Sequence, residues 1–579
     1  MQENIRKYLL NTHILLLAVL LLGFSVRIWG LGSAEIFHDE GLYAFRSIGY
    51  LDYVQNIDQT TPIEWFADRE LPWWTNLSFH DAPPLFFLVQ HIFFRIFGDS
   101  LFVARLPSLI AGMFAILLMY LIGKRITIPG VEEERNLFGL FAALLLSINH
   151  IHIWISRSSL LESLLLTLIL ANIYFFLRFV HRGSPTPTVG SDSQLNWLWF
   201  GITFGLALLT KYTGIFLLLL YGVYCVLFYR PLLKHWRLYA ACGIAILVFS
   251  PVLIYNAYLY TASGHFDLQF AYLFGQETPG WRAGFLGKSQ EPFSNILQNL
   301  TAMYSVPFLV VTMLSALFAL VFQKARHYIH ITAFALLGIL SVTFLLTSAG
   351  SAYRFLVLYA PFAILLIILT GFLLNVYTKA NRHVLGLRII FVAAFIFLAS
   401  EIWFTIDGIF LEFPQLGIVE MNRRLDELVG EGPSQTLPQV SNFHLNAVVQ
   451  RYARHYPPGD HQKIIVYDSS LIISAKLWLF TRRFYYHGIP TFPTEAFKQL
   501  IQERGVEYFK NYEIYFVRVN EQTVLANPYA PRTPHAKELE DFLTAELGLS
   551  PSFVTYAYQP TPEGGYQQLP ALSLFKITF

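Results

Sequence analysis

Long apolar runs constrain the fold of this chain more than any other feature of the sequence. A helix needs about 20 apolar residues to cross ~30 Å of hydrocarbon, and about eleven segments meet that requirement. Charged residues make up only 13% of the chain, against roughly 25% in a soluble domain. We therefore predict an α-helical polytopic membrane protein with about eleven transmembrane helices. The predicted spans are 9–30, 101–123, 137–154, 160–180, 196–210, 213–229, 238–258, 301–323, 329–348, 355–376 and 389–409.

Two other features refine this assignment of spans. The segment Pro83–Phe97 is short and starts with two prolines, so we expect a helix that lies at the membrane interface or is only partly inserted. As one helix, Asn196–Tyr229 would be ~50 Å long at 1.5 Å per residue, which is too long for a single span. We therefore predict a turn at Lys211–Gly214 that divides this run into two spans.

The positions of Lys and Arg in the short loops predict the orientation of the spans, because inner loops carry an excess of these cations. With the N-terminus inside, the cations of the loops near 124–135, 178–182, 230–237, 324–326 and 379–388 all lie on the inner side. Residues 1–410 then form a transmembrane domain whose first outer loop is 31–100. The outer face also holds 155–159, the Lys211 turn, 261–300, 348–354 and everything after about 410.

The tail, residues 411–579, has a different character, because charges return and short strand-like and helix-like stretches alternate. We predict a buried strand at Ile464–Tyr467, a helix at Glu495–Arg504 and a pair of strands over Val506–Val519 that turns around Asn511. The tail is therefore expected to be a small extracytoplasmic α/β domain. The net charge of +2 gives no indication of a nucleic-acid partner.

An acidic pair stands where the first span leaves the membrane, in His38-Asp39-Glu40. Carboxylates near the hydrocarbon boundary are costly unless they are paired, hydrated or functional. One of them could take the proton of an acceptor hydroxyl as a general base. The alternative is that both carboxylates only stabilise the first turn of a helix that begins here.

Two further acidic segments face the same side. His80 and Asp81 precede the two prolines of the interfacial helix and could bind a metal, a phosphate or an acceptor, although Asp81 could equally be a helix N-cap. Glu162 lies about one turn into an apolar helix at the outer face, where an ionisable group suggests function. The alternative for Glu162 is a pair with Arg157 that merely hides both charges.

Two cations open or interrupt apolar runs on this face. Lys211 lies at the turn between two spans, and Arg354 opens another. Such cations suit a phosphate, although each could also extend to the lipid headgroups without a further role. His265 and Asp267 in the long outer loop could be metal ligands or ordinary loop residues. The orientation brings acidic groups and cations from separate parts of the chain to one face, as transfer from a phosphate-linked donor requires.

The order of these motifs also resembles a known family. They are the acidic pair after the first span, the Pro-Pro-Leu helix that ends at Phe97-Gly98, Ala104-Arg105-Leu106-Pro107-Ser108, Gly123-Lys124-Arg125, Ser156-Arg157 through Leu161-Glu162, Leu209-Thr210-Lys211, and Tyr353-Arg354 followed by Pro361. Over about residues 10–375 the chain resembles the GT-C membrane glycosyltransferases, in particular the protein O-mannosyltransferases and the bacterial lipid A aminoarabinose transferases.

The resemblance implies a donor sugar on a polyprenyl phosphate and transfer outside the cytoplasm, usually with inversion. It implies that Asp39 is the catalytic base with Glu40 beside it, that Glu162 is a second acidic residue where relatives usually carry Asp, and that Lys211 and Arg354 hold the donor phosphate. Relatives tend to have Lys or His directly before Pro-Pro, where this chain has Ala82.

The acceptor stays open among envelope lipids, glycans and proteins, because the sugar-binding repeats of the mannosyltransferases are absent. His38, His80, Asp81, His265 and Asp267 are candidates for an acceptor or metal site. A divalent ion held by the acidic groups could assist, but nothing in the sequence requires one. We expect a prokaryotic plasma membrane rather than the endoplasmic reticulum.

Two other functions use the same features. A transporter or flippase of lipid-linked sugars would use the charges as a passage, but such proteins usually place ionisable groups near mid-membrane and show inverted repeats. A non-catalytic membrane scaffold for the C-terminal domain would leave the shared charges on one face unexplained. The sequence therefore favours a glycosyltransferase.

Overall fold

The computed structural model describes most of the chain, from Thr12 to Phe579 with gaps. The described residues are 12–36, 39–56, 59–125, 135–180, 195–278, 281, 293–321, 329–349, 353–380, 384–411, 416–429, 437–453, 462–520, 535–560 and 568–579. His38 and the predicted linker from Gly183 lie outside these residues.

Helices form nearly all of the described structure before residue 412, as the apolar composition of the spans predicts. The α-helices are α1 (Thr12–Ile28), α2 (Glu40–Gly49), α3 (Pro62–Trp65), α4 (Leu85–Phe97), α5 (Leu101–Lys124), α6 (Arg135–Ile148), α7 (His150–Arg157), α8 (Leu161–Phe179), α9 (Asn196–Thr210), α10 (Phe216–Phe228), α11 (Trp236–Ser263), α12 (Leu268–Leu273), α13 (Phe293–Met303), α14 (Val306–Val321), α15 (Ile329–Ala349), α16 (Ala360–Ala380) and α17 (Val384–Ile406). Shorter 3₁₀ or wider turns cover Trp73–Asn76, Tyr212–Ile215, Arg230–Lys234, Tyr353–Tyr359 and Asp407–Leu411.

Among the described residues, six helices are long and apolar enough to cross a membrane, and the number rises to eight if each of two bent helix pairs is one span. α1, α9 and α10 are apolar helices of 17 residues or fewer. The count of eleven spans therefore stays a prediction, while the multi-pass helical architecture is confirmed. The predicted division at Lys211 is also present, because α9 ends at Thr210 and α10 begins at Phe216.

Two predicted straight spans, 137–154 and 301–323, are bent in the structure. The axes of α6 and α7 differ by 62°, and those of α13 and α14 by 120°. At the first bend the side chain of Asn149 accepts a hydrogen bond from the backbone N–H of His152 at 3.3 Å, so it caps a new helix. Apolar periodicity continues through such a bend and therefore does not reveal it.

The C-terminal part contains a five-stranded mixed sheet with helices packed against it. The strands are β1 (Gln462–Tyr467), β2 (Thr491–Pro493), β3 (Tyr512–Val519), β4 (Ser552–Pro560) and β5 (Gln568–Ile577), in the order β2-β1-β3-β5-β4. The α-helices are α18 (Ile418–Val429), α19 (Phe443–Tyr452), α20 (Ile473–Lys476), α21 (Arg482–His487), α22 (Thr494–Arg504) and α23 (His535–Asp541). Other turns are Leu477–Thr481, Val506–Phe509 and Phe542–Glu546.

The predicted strand at Ile464–Tyr467 and helix at Glu495–Arg504 are confirmed, but the predicted strand pair over Val506–Val519 is wrong. Val506–Phe509 is a 3₁₀ turn, and only β3 follows it. β3 pairs in parallel with β1 and antiparallel with β5, which comes from the far end of the chain. Pairing with distant strands therefore replaces the local hairpin.

The C-terminal α/β part packs directly on the loop 31–100, the predicted first outer loop. One hydrophobic core joins buried residues of α2 and its neighbours to residues of the sheet and its helices. Ala44, Phe45 and Ile48 of α2 lie in this core together with Trp478 and Tyr486. A second, larger core joins the apolar helices with one another and includes Tyr43 from the same α2. α2 is thus packed between the two parts of the molecule.

Candidate active site

The carboxylate of Asp39 lies at the start of α2, where it contacts an arginine from the far side of the sequence. It accepts a hydrogen bond from the Tyr43 hydroxyl at 3.1 Å and another from the Arg354 guanidinium. Asp39 is the N-cap residue of α2, but its side chain makes no capping hydrogen bond to the helix backbone. The Asp39 side chain is 39% exposed, so a substrate hydroxyl can reach it.

The second carboxylate of the site belongs to Glu162, in the first turn of α8. Its Oε1 lies 2.5 Å from Nζ of Lys211 and 3.2 Å from Nε of Arg354, and its side chain is fully buried. Both cations also lie against the Phe355 ring, with Lys211 Nζ 4.2 Å from the ring centroid. Glu162 pairs with these two cations, whereas Arg157 donates to backbone carbonyls of α1 and the residue after it.

Breaks in the helices position these side chains. Lys211 occupies the break between α9 and α10, with extended backbone angles (φ −161°, ψ 134°). Arg354 lies in the 3₁₀ turn Tyr353–Tyr359 before α16, and Glu162 follows the extended residue Leu160. A carboxylate in the first turn of a helix is also favoured by the helix dipole. Asp39, Tyr43, Glu162, Lys211 and Arg354 together are called the ion-pair cluster below.

The charges of the ion-pair cluster balance, with two carboxylates against two cations. Burial alone raises the pKa of Asp39, but the nearby Arg354 and Lys211 outweigh it and hold the pKa below its usual range. Asp39 is therefore deprotonated at neutral pH and can accept a proton. The side chains of Lys211 and Arg354 are only 15% and 18% exposed, and both bind carboxylates of the cluster.

Glu40, the other half of the acidic pair, binds an arginine from a span. Its two carboxylate oxygens accept from Nε and Nη2 of Arg105 at 3.0 and 2.9 Å, and one also accepts from the backbone N–H of Ser159. Both Glu40 and Arg105 are 1% exposed, so this pair is closed to substrates. Glu40 thus forms a buried ion pair, and its predicted place beside Asp39 in the chemistry stays a prediction.

Asp81 lies close to the ion-pair cluster but binds a different arginine. Arg46 of α2 donates to both of its carboxylate oxygens at 3.1 and 2.7 Å, and the same guanidinium also binds Asp52. Asp81 is not the N-cap of α4, because that position is Pro84. Burial raises the pKa of Asp52 to about 6, against the opposing effect of Arg46. Two carboxylates thus share one buried cation here.

His80, His265 and Asp267 have contacts of their own. His80 is fully buried, with its ring centroid 4.9 Å from that of Trp65 and 5.7 Å from that of His265, and burial lowers its pKa to about 3. Asp267 caps α12 and accepts hydrogen bonds from Tyr212 and Asn256 at 2.7 and 2.9 Å.

No metal site is evident in this region. No group of three or more His, Cys, Asp or Glu side chains suited to a metal occurs in the described residues, from which His38 is missing. The metal part of the prediction for His80, Asp81, His265 and Asp267 therefore gains no support from the part of the chain that the structure describes.

The sequence interpretation missed several residues that shape the site. Arg105, Arg46 and Asp52 form the ion pairs that hold the outer loop, and Glu35 binds the start of the C-terminal part. Arg105 could have been singled out, because a charged residue inside an apolar span indicates a specific partner. Its partner could not, since 65 residues separate the two in sequence.

Part of the chain is similar to a known protein family. Residues 81–255 match the profile of a family described as "Dolichyl-phosphate-mannose-protein mannosyltransferase". The match covers less than half of the chain but includes Asp81, Glu162 and Lys211. No curated protein sequence matches the chain.

The whole fold is similar to that of ArnT from Cupriavidus metallidurans bound to undecaprenyl phosphate. The sequences are 13% identical, the TM-score is 0.51, and the match covers 97% of each chain. The chain therefore shares the fold of ArnT. The apo form of the same ArnT gives 12% identity, a TM-score of 0.49 and 97% coverage of each chain. The apo Archaeoglobus fulgidus oligosaccharyltransferase gives 13% identity and a TM-score of 0.49 over 97% of this chain and 74% of that one.

The family profile and the geometry point to overlapping residues. The profile covers Glu162 and Lys211, and the structure joins both to Arg354 and Asp39, which lie outside the matched segment. Six helices of the described residues are long and apolar enough to cross a membrane, which indicates a multi-pass membrane protein.

Proposed function

We propose that the protein is a glycosyltransferase that moves a sugar from a polyprenyl-phosphate donor to a hydroxyl acceptor on the extracytoplasmic face. The observation that carries the proposal is the ion-pair cluster itself. It places a deprotonated, partly exposed carboxylate within hydrogen-bonding distance of a cation that is shared with a second, buried carboxylate. The undecaprenyl phosphate bound to ArnT, which has the same fold, supports a donor of this chemical class.

Lys211 and Arg354 are the residues that would bind the donor phosphate. The phosphodiester of a polyprenyl-phosphate sugar carries one negative charge, and the phosphomonoester that leaves carries close to two. Cations beside the phosphate oxygens stabilise that growing charge, which is usually a large catalytic effect. Arg354 is suited to this because its planar guanidinium can bind two oxygens at once.

Binding of the donor phosphate would also free the Asp39 carboxylate from Arg354. Arg354 now binds Asp39, and a phosphate that takes over this guanidinium weakens the attraction that lowers the pKa of Asp39. Asp39 then becomes a better proton acceptor only when the donor is in place. Tyr43, which donates to the same carboxylate at 3.1 Å, keeps Asp39 oriented during the exchange.

The reaction is a single displacement. The acceptor hydroxyl oxygen attacks the anomeric carbon from the face opposite the phosphate, and its proton passes to Asp39. The bond between the anomeric carbon and the phosphate oxygen breaks, and its electron pair stays on the phosphate beside Lys211 and Arg354. The anomeric configuration is inverted. Holding both substrates in this geometry supplies much of the remaining acceleration.

The direct test incubates the purified full-length protein with radiolabelled polyprenyl-phosphate sugars and extracted envelope acceptors. We expect label to move to an acceptor fraction while polyprenyl phosphate accumulates in equal amount. A transporter would move intact donor across vesicle membranes, and a scaffold would do neither. Intact donor after incubation with every sugar and acceptor fraction would contradict the proposal.

A second experiment tests the phosphate-binding residues separately from the chemistry. Binding of polyprenyl phosphate to the purified protein is measured for Lys211→Met and for Lys234→Met, an exposed lysine of an inner turn under the predicted orientation. We expect the affinity to fall at least ~10-fold for Lys211→Met, since a charge-assisted contact contributes about 1.5–3 kcal/mol. The Lys234→Met protein should bind as the wild type does, and equal affinities for both variants would refute the assignment.

A further inference from the structure

The helix that carries Asp39 is in contact with the C-terminal domain along its length. α2 is buried at almost every position, although it lies in an outer loop. Tyr43 faces the core of the apolar helices, whereas Ala44, Phe45 and Ile48 face the core shared with the C-terminal domain. The position of α2, and with it that of Asp39, therefore depends on both parts.

At the first turn of α2, the backbone of Gly41 lies in close contact with Ser474 of the C-terminal domain. The backbone N–H of Gly41 donates to Oγ of Ser474 at 3.1 Å. A Cβ atom at Gly41 would lie 2.3 Å from the carbonyl oxygen of Ser474 and 2.7 Å from its Oγ. Only glycine fits at this position without a shift, and Gly41 is two residues after Asp39.

The last turn of α2 is held in the same way by a tyrosine. The Tyr486 hydroxyl donates to the carbonyl oxygen of Phe45 at 2.9 Å, and the two rings lie 5.4 Å apart. A Cβ atom at Gly49 would lie 2.7 Å from the same hydroxyl oxygen. Both ends of the helix thus contact the C-terminal domain through a small residue.

The segment before Asp39 is bound to the start of that domain as well. Glu35 accepts hydrogen bonds from the backbone N–H groups of Leu416, Gly417 and Val419 at 2.9, 2.9 and 3.0 Å. These groups open α18, so a buried carboxylate of the outer loop caps a helix of the C-terminal domain.

We propose that the C-terminal domain positions Asp39 for catalysis, with Ser474 and Tyr486 as positioning residues that hold α2 against the apolar helices. The proposal rests on the proposed function, because it assigns a role in the same reaction. Neither residue touches a substrate, and both act through the backbone of α2. A displacement of about 1 Å in a catalytic group can lower the rate ~100-fold, so contacts of this kind control activity from a distance.

The test uses three variants of the full-length protein. Gly41→Ala forces α2 away from Ser474, and the double variant Ser474→Ala/Tyr486→Phe removes both hydrogen bonds without a clash. Gly548→Ala is the control, because it strains a left-handed glycine (φ +66°) of the same domain where an added Cβ contacts nothing. Hydrogen exchange of the 40–49 amides and the kinetics of sugar transfer are measured on each.

We expect faster exchange of the 40–49 amides by at least ~10-fold in the first two variants and no change in Gly548→Ala. We expect kcat to fall about 100-fold in Gly41→Ala and about 10-fold in the double variant, while the KM for the donor changes less than ~3-fold. The acid limb of the pH–rate profile should also move to higher pH, because Asp39 is drawn away from Arg354.

The outcomes separate the two proposals. Unchanged exchange in the double variant, or a loss of kcat equal to that of Gly548→Ala, would overturn the positioning role. If Gly41→Ala does not fold, the double variant decides alone. If the variants exchange faster but the wild type transfers no sugar, the structural role of these contacts stands and the proposed function is refuted instead.

Discussion

Arg105 offers the sharpest test of how the outer loop is held, because its guanidinium uses every N–H group it has. Nε and Nη2 donate to Glu40 at 3.0 and 2.9 Å, and Nη2 also donates to the carbonyl oxygen of Glu35 at 2.7 Å. Nη1 donates to the carbonyl oxygens of Leu31 and Ala34, both at 2.8 Å. One side chain of a span therefore binds Leu31, Ala34 and Glu35 before Asp39 and Glu40 after it.

The substitution Arg105→Lys keeps the charge but removes donors. An ammonium group has three N–H donors against five in arginine, so at least two hydrogen bonds are lost. Hydrogen bonds to charged groups contribute ~1.5–3 kcal/mol each, which gives a loss of ~3–6 kcal/mol in the free energy of unfolding. The same change releases the loop, so we expect kcat for sugar transfer to fall at least ~100-fold.

The assay compares Arg105→Lys with Arg125→Lys, an exposed arginine that follows the far end of the same helix α5. Both proteins are purified at full length and unfolded by a titration with SDS in mixed micelles. The control should match the wild type within ~0.5 kcal/mol, as surface substitutions usually do. If Arg105→Lys is as stable and as active as the control, the loop is not held by this guanidinium and the reasoning fails.

Three further predictions follow from the same contacts. Glu35→Gln leaves the N–H groups of Leu416 and Gly417 without a charged acceptor, so the free energy of unfolding should fall by ~2–4 kcal/mol, with exposed Glu70→Gln as the control. Arg354→Gln removes the charge that lowers the pKa of Asp39, so the acid limb of kcat/KM should move to higher pH, and an unmoved limb would contradict the pair. Glu162→Gln leaves two buried cations with one carboxylate, so thermal unfolding should begin at a lower temperature, and an unchanged transition would argue against the pairing.

The sequence was enough to predict the helical architecture, because apolar runs are long and distinct in a membrane protein. The break at Lys211 followed from length alone. The bends at Asn149 and before Val306 did not, since apolar residues continue through them. In the C-terminal domain, β3 pairs with β1, which precedes it in the sequence, and with β5, which follows it. The local sequence pattern could only suggest a hairpin.

The candidate site was predictable as a set of residues but not as a set of contacts. Charge-based orientation brought Asp39, Glu162, Lys211 and Arg354 to one face, and the structure joins them by ion pairs. Glu40 looked equivalent to Asp39 in sequence, yet its partner Arg105 buries it. Which of two adjacent carboxylates stays exposed depends on three-dimensional packing, which no local pattern encodes.

A single-turnover experiment on Asp39→Asn tests the central claim most directly. The purified variant is mixed with radiolabelled polyprenyl-phosphate sugar and acceptor, beside wild type and Asp68→Asn, which changes an exposed aspartate of the same outer loop. General-base catalysis contributes about 10²–10⁴-fold, so we predict a transfer rate at least ~100-fold below wild type for Asp39→Asn, with donor still bound, and a wild-type rate for Asp68→Asn. Transfer by Asp39→Asn at the wild-type rate would contradict the account.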